Sequence, residues 1–121
     1  MNILIAEDQY ILQIVLEQAM DEWGFSYDIA VNGLEAVKYA RAKPGQYDLC
    51  IMDVSMPAMD GIEATRVIRR EVGYFPILGY SSDITLRERC LEAGMDGFLL
   101  KPCTKEQMLE MINDLKARGS S

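Results

Sequence analysis

A chain of 121 residues, half of them hydrophobic and 26% charged, is long enough for one domain with a real core, and no apolar run in it reaches the roughly 20 residues of a membrane span. The formal charge of −7 argues against nucleic acid as a direct partner, because phosphate backbones need a basic face. There is no histidine, which removes a histidine-based zinc site, a Ser-His-Asp triad and a histidine phosphoacceptor on this chain.

The chain opens on "MNILIAED", too short and too soon acidic for a secretion signal, and residues 2–6 read as a strand. From Gln9 to Trp23, the residues Leu12, Val15, Leu16, Ala19 and Trp23 recur at helical spacing, and Gly24 can close that helix. Residues 25–30, "FSYDIA", half-alternate and suit a strand nearer a sheet edge. Asn32 with Glu35 is a capping box that opens a helix to about Ala42. "KPGQ" (43–46) is a turn, and residues 48–53, "DLCIMD", are the third strand, in which Cys50 reads as a small core residue. Asp60 with Glu63 caps a helix to about Glu71, and residues 76–81, "PILGYS", are the fourth strand. A helix from about Ile84 to Ala93 stops at Gly94, and residues 97–101, "GFLLK", are the fifth strand. Thr104 and Gln107 cap a last helix whose stripe is Met108, Met111, Ile112 and Leu115. No internal repeat, low-complexity segment or linker precedes Arg118. Three cysteines without paired spacing point to reduced thiols and a cytoplasmic setting.

Five repeats of strand then helix, with apolar strands that do not alternate, mean strands buried on both faces. The expected architecture is α/β, a five-stranded parallel sheet wrapped by helices. In such folds a site forms beyond the carboxyl ends of the strands. Those ends carry Glu7-Asp8, Asp53, Ser81 and Lys101-Pro102, while the second strand offers only Val31-Asn32. Three acids on one edge would repel and raise one another's pKa. Lys101 sets one positive charge against them, and a hard divalent cation can supply the rest. Magnesium suits carboxylates together with waters and a phosphate oxygen. Each feature has a bland reading when taken alone: helix-start acids for Glu7-Asp8, a helix cap for Ser81, a solvated charge for Lys101. Asp83 reads as the cap of the next helix, which would free Ser81.

"LIAED", "MDVSMPAMDG", "PILGYSS" and "DGFLLKP", each at a strand end, together resemble the receiver domain of bacterial two-component response regulators. The resemblance covers about residues 2–117, and the whole of 1–121 is expected to be a single receiver domain. "MPAMDGIEATRVIR" and "ERCLEAGMDGFLLKP" look most like receivers attached to hybrid histidine kinases. The resemblance implies a flavodoxin-like, doubly wound sheet of order 2-1-3-4-5 with helices on both faces. It implies that Asp53 is the phosphoacceptor. Asp8 and Asp53 would bind Mg2+ (or Mn2+) directly, with the backbone carbonyl of Ser55, and Glu7 mainly through a metal-bound water. Lys101 would contact one phosphoryl oxygen and Ser81 another in the active state. Phe98 matches the switch aromatic, without the hydroxyl that a tyrosine would carry, and the Lys101–Pro102 bond is expected to be cis. Ser55 and Asp83 flank the approach of the hydrolysing water and are expected to tune the acyl-phosphate lifetime.

Functionally, the resemblance implies a phosphorelay in which a phosphohistidine of a histidine kinase or histidine phosphotransfer protein supplies the phosphoryl group. Such transfer is mostly positioning and charge stabilisation. The domain would be no enzyme in its own right; it assists its own phosphorylation and dephosphorylation, with kinase activity only as part of a larger hybrid kinase. A downstream output domain or protein would read the switch, with a dimer allowed through the face of the fourth helix, fifth strand and last helix. Neither direct nucleic-acid binding nor membrane insertion is expected, and the setting is cytoplasmic.

Other readings fit less well. A flavodoxin-type flavin domain wants a phosphate-cradling loop after the first strand, where this chain has the acidic, glycine-free "AEDQY". A haloacid-dehalogenase-like phosphatase wants an acid two residues after its nucleophile, where Ser55 stands. No glycine-rich lysine loop for a nucleotide is present. A degenerate receiver that binds partners without phosphorylation usually lacks an acid or the lysine, and here none is missing. Met1 directly before the first strand suits a stand-alone or N-terminal regulator domain. The wording of the motifs suits a piece of a hybrid kinase, with the closing "ARGSS" a truncated linker.

Overall fold

The computed structural model describes residues 1–119; Ser120 and Ser121 of the closing "ARGSS" lie outside the described residues. The three most deeply buried strands lie in the middle of the sheet: β1 (Asn2–Ala6), β3 (Leu49–Asp53) and β4 (Ile77–Ser81). The half-alternating β2 (Ser26–Ala30) and the short β5 (Gly97–Leu100) form the two edges. All pairings are parallel and the order is β2-β1-β3-β4-β5, the one implied by the resemblance.

Alternation along each strand divides the core in two. Ile3, Ile5, Ile51 and Leu78 face Leu16 and Met20 of α1 (Tyr10–Trp23) and Ile112 and Leu115 of α5 (Lys105–Gly119). Leu4, Cys50, Met52 and Ile77 face the other way, onto α2 (Gly33–Ala42), α3 (Gly61–Glu71) and α4 (Arg87–Ala93). Each fully buried Leu or Ile is worth about 1.5–3 kcal/mol, so both faces of the sheet must stay covered. Cys50 is fully buried, and burial pushes its thiol up to about 12, as suits a core residue.

The caps work as the sequence suggests. Asn32 accepts from the Glu35 N–H at 2.8 Å, Asp60 from the Glu63 N–H at 2.8 Å, and Thr104 and Gln107 exchange reciprocal bonds. Gly24 and Gly94, both with positive φ, close α1 and α4.

Several bounds differ from expectation. The helix expected over 84–93 is divided into a 3₁₀ turn, Ile84–Leu86, and α4. Asp83 accepts from both the N–H and the hydroxyl of Thr85, and the Leu86 N–H reaches the Asp83 carbonyl, so the chain tightens for one turn before it becomes α-helical. α1 starts at Tyr10 because Gln9 is still extended. Val15, expected in the buried stripe of α1, is 49% exposed, and Met20 is buried instead. β3 begins after Asp48, whose carboxylate accepts from the Asn2 N–H at 2.7 Å. β2 and β4 begin after Phe25 and Pro76, and β5 ends at Leu100, leaving Lys101 beyond the ladder.

One polar cluster ties edge strand β2 to the rest. Asp28 accepts from Lys43 Nζ at 2.8 Å and from the Tyr47 hydroxyl at 2.6 Å. The Lys43 bond first, then the Tyr47 bond, holds the Asp28 carboxyl below its ordinary 3.8. A depressed carboxylate contributes stability that is present above its unfolded value and is lost as pH falls through the folded one. Asp28→Asn should therefore cost on the order of 1–2 kcal/mol at neutral pH, with the difference from wild type closing as pH drops below 3.8. Urea unfolding at neutral pH and in acid measures this; an equal difference at both would contradict it.

Candidate functional site

Parallel register brings the strand ends level: Ala6 pairs with Met52, Asp53 with Tyr80 and Ser81 with Leu100. Glu7 prolongs β1, its N–H donating to the Ala30 carbonyl at 2.9 Å. Two glutamines at the start of α1 grip it further. The Gln9 N–H donates to Glu7 Oε2 at 3.1 Å, and Gln13 Nε2 donates to the Glu7 carbonyl at 2.7 Å. Lys101 is held beside β4 by its N–H, which donates to the Ser81 carbonyl at 2.8 Å. The Lys101–Pro102 peptide is cis.

The ammonium of Lys101 lies 3.2 Å from Glu7 Oε1 and 3.2 Å from Asp53 Oδ1. The carboxylates of Glu7, Asp8 and Asp53 lie within 4.8 Å of one another. Glu7 is 1% exposed and Asp53 4% exposed. Burial pushes the Glu7 carboxyl up to about 7, with the Gln9 N–H opposing it and the Asp53 charge adding to it. Burial also raises Asp53, against the pull of Lys101. One cation thus does not neutralise the cluster. Asp8 Oδ1 is buried without any hydrogen-bond partner among the described residues, an arrangement that costs free energy unless something occupies it. Three carboxylates without nitrogen or sulfur donors are a hard oxygen set that could hold a cation of the magnesium, manganese or calcium kind.

The other residues singled out in the sequence surround this cluster. Ser81, buried, ends β4 on the face opposite Tyr80, and no described hydrogen bond joins its hydroxyl to Asp53 or Lys101. The expectation that capping by Asp83 would free Ser81 needs correction. Asp83 does cap with its side chain, but its own N–H donates to Ser81 Oγ at 3.1 Å, so the hydroxyl is already engaged while its proton stays available to a ligand. Ser55 is exposed in the β3–α3 loop, beside Asp8, Asp60 and Arg89 in a shallow groove. Phe98 pairs in register with Gly79 and is half-buried against the α2–α3–α4 side of the core. A Cβ on Gly79 would stand 3.5 Å from its ring.

Four contributors escaped the sequence reading. Gln13 acts through its side-chain amide in the first turn of α1, and Gln9 through its backbone N–H, which no side chain signals. Tyr80, whose ring centroid lies 4.8 Å from Lys101 Nζ, read only as a strand residue. Gly61 did so only as part of a motif. Its N–H donates to the Val54 carbonyl at 2.8 Å, and a Cβ there would strike the Asp53 carbonyl oxygen and come 2.9 Å from Met52 Cγ.

Against this geometry, the sequence model of the response regulator receiver domain matches residues 3–113. The osmosensing histidine protein kinase SLN1 of Saccharomyces cerevisiae is 35% identical over 124 aligned positions, covering 96% of this chain and 10% of that protein. The peroxide stress-activated histidine kinase mak2 of Schizosaccharomyces pombe is 37% identical over 120 positions, covering 92% of this chain and 5% of that protein. This chain therefore spans a tenth or less of the length of those relatives. Among solved structures, the receiver domain of a sensor histidine kinase from Pseudomonas aeruginosa, with a magnesium ion coordinated in its active site cleft, aligns with a TM-score of 0.88. The two are 32% identical, with 96% of this chain and 97% of that one covered.

The backbone behind Asp53 has no room for a side chain at position 61. Gly61→Ala should destabilise the fold by about 1–3 kcal/mol, because the obstacle is the peptide of Asp53 rather than a flexible side-chain end. Denaturant unfolding of the two proteins reads this; an unchanged midpoint would show that the loop can yield.

Proposed function

This chain belongs to the response regulator receiver family, and from that premise we propose that Asp53 accepts a phosphoryl group from a phosphohistidine on a partner protein. The observation that carries the proposal is Asp53 itself: a carboxylate 4% exposed at the end of a central strand, in contact with a lysine and clustered with two further acids. A carboxylate oxygen of Asp53 attacks phosphorus. The new P–O bond forms as the P–N bond breaks, and the imidazole leaves with the electron pair. Burial works against ionisation of Asp53, and Lys101 works for it, so the lysine both keeps the nucleophile charged and stands ready for a phosphoryl oxygen. The Ser81 hydroxyl proton is left to donate to another oxygen, and a charged acceptor strengthens that bond.

The orphaned Asp8 Oδ1 and the all-oxygen donor set fit a hard divalent cation. Asp8, Asp53 and the Ser55 carbonyl would hold Mg2+ or Mn2+ directly, with Glu7 acting through water, and the ion would supply positive charge to the carboxylates and the transferred phosphoryl group. Residues 1–121 act here as a single receiver domain, a phosphoacceptor rather than an enzyme with a turnover of its own.

Exposed apolar side chains support a protein donor. Tyr10 and Ile11, 71% and 70% exposed, with Val31, Leu34 and Ile84, rim the same end of the sheet as Asp53. A helical partner that carries a phosphohistidine, from a histidine kinase or a phosphotransfer protein, suits such a rim. The similarity to hybrid kinases supports a receiver of that kind, and the free cysteines support a cytoplasmic setting. No described helix is long and apolar enough to cross a membrane. Read-out runs from Ser81 to Phe98 and on to the α4–β5–α5 face, where an output domain, an output protein or a second copy would bind. Two contacts support that route: Ser81 and Phe98 lie on adjacent strands, and Phe98 packs on the side that α4 covers. The flavin and degenerate readings have less support, since the loop after β1 is acidic and the acids and lysine are all present and assembled.

With acetyl phosphate and Mg2+, intact-mass spectrometry should show one phosphate on the wild type and none on Asp53→Asn; equal uptake by the variant would refute the assignment. Mg2+ alone should raise the melting temperature by mass action. Asp8→Asn should abolish that shift and Glu7→Gln only reduce it, and a full wild-type shift in Asp8→Asn would remove Asp8 from the metal set.

A further inference from the structure

The ammonium of Lys101 has three donors, and the two acids Glu7 and Asp53 take one side of it. The ring of Tyr80 takes another, its centroid 4.8 Å from Nζ. Tyr80 is 8% exposed and lies next to Asp53 in the β3–β4 register. Its ring packs among Ile51, Leu78 and Met108, and the Cys103 thiol donates to its hydroxyl oxygen at 4.0 Å. The ring is therefore anchored independently of the lysine. A buried aromatic face attracts an ammonium through its quadrupole, most strongly where water is excluded, and the Lys101 side chain is only 17% exposed.

We propose that Tyr80 is a positioning residue for phosphoryl transfer: its ring face holds the Lys101 ammonium over Asp53, against the competing pull of Glu7. The consequence follows from the equal distances. Glu7 and Asp53 attract the same ammonium from 3.2 Å each. Were the ring absent, the ammonium would lose a fixed support beside Asp53 and would divide its time between the two acids. With the ring in place, the lysine can exchange an Asp53 oxygen for a phosphoryl oxygen without swinging away. Phenylalanine at 80 would keep the ring and lose only the bond from Cys103; leucine would keep an apolar filling and lose the quadrupole.

The inference rests on Asp53 being the phosphoacceptor, and the test separates the two claims. The initial rate of Asp53 phosphorylation by acetyl phosphate is measured in the full chain at saturating Mg2+. Tyr80→Leu should lower it on the order of three- to tenfold, and Tyr80→Phe should restore it to within about twofold of wild type. Phenylalanines of increasing fluorination at 80 drain the quadrupole at nearly constant shape, and the rate should fall in that order. In a Lys101→Met background, Tyr80→Leu should add no further loss. A flat fluorination series, or an equal Tyr80→Leu loss with and without Lys101, would overturn the inference. A second readout needs no phosphorylation. The ε-methylene resonances of Lys101 should be shifted upfield by the ring in wild type and Tyr80→Phe, and return to ordinary lysine positions in Tyr80→Leu. Ordinary positions in the wild type overturn the inference on their own. A wild type that takes no phosphate refutes the Asp53 assignment instead, and the resonances still decide where Lys101 sits.

Discussion

A single ammonium faces two buried carboxylates, and most of the molecule is arranged so that it can. Lys101 sits 3.2 Å from both Glu7 and Asp53, while Asp8 remains outside its reach with an oxygen that nothing satisfies. Isolated in an apolar interior, any of these acids would take up a proton instead of keeping its charge. Here burial and charge work against each other at short range, and the balance lies on the side of unspent negative charge. Burial raises the carboxyls of Glu7 and Asp53, and Lys101 pulls both the other way. A site in that condition suits a hard cation.

Such a cluster is costly, and the sheet beneath it meets the cost. β1, β3 and β4 are buried on both faces and hydrogen-bonded on both edges, so the residues at their ends cannot drift apart. The loops that follow are tied in turn. Gln9 and Gln13 hold Glu7, Gly61 lets α3 start against the peptide of Asp53, and the Lys101 N–H is fixed to the Ser81 carbonyl. Remote clamps belong to the same design. Asp96 accepts from Arg69, from the Tyr74 hydroxyl and from the Ile77 N–H, joining α3 to the start of β4 and to the turn before β5. The rigid part of the molecule thus presents the acids.

Membership of the receiver family gives this arrangement its biological class: a domain of two-component signalling. The similarity to these histidine kinases covers almost all of this chain and a small part of theirs. What a larger protein would sense or control is set elsewhere.

Much of this was legible in the residues alone. Apolar runs without alternation announce buried parallel strands, and capping pairs such as Asn32 with Glu35 act within four residues of chain, so the element order and most helix starts follow from local chemistry. The acids and the lysine were legible for a related reason: a charge at the end of an apolar strand stands out from its surroundings. Tertiary structure decided the rest, because it depends on neighbours far apart in sequence. The division of the fourth helix hangs on which donors Asp83 captures, and the exposure of Val15 on how α1 rotates against the sheet. That the amide of Asp83 would occupy the Ser81 hydroxyl, and that Tyr80 would lie beneath Lys101, no spacing could tell. Composition and periodicity report what each residue prefers to do with water and with its own backbone. Only the packed sheet, by bringing residues 7, 53, 80 and 101 to one edge, determines which of them share a charge.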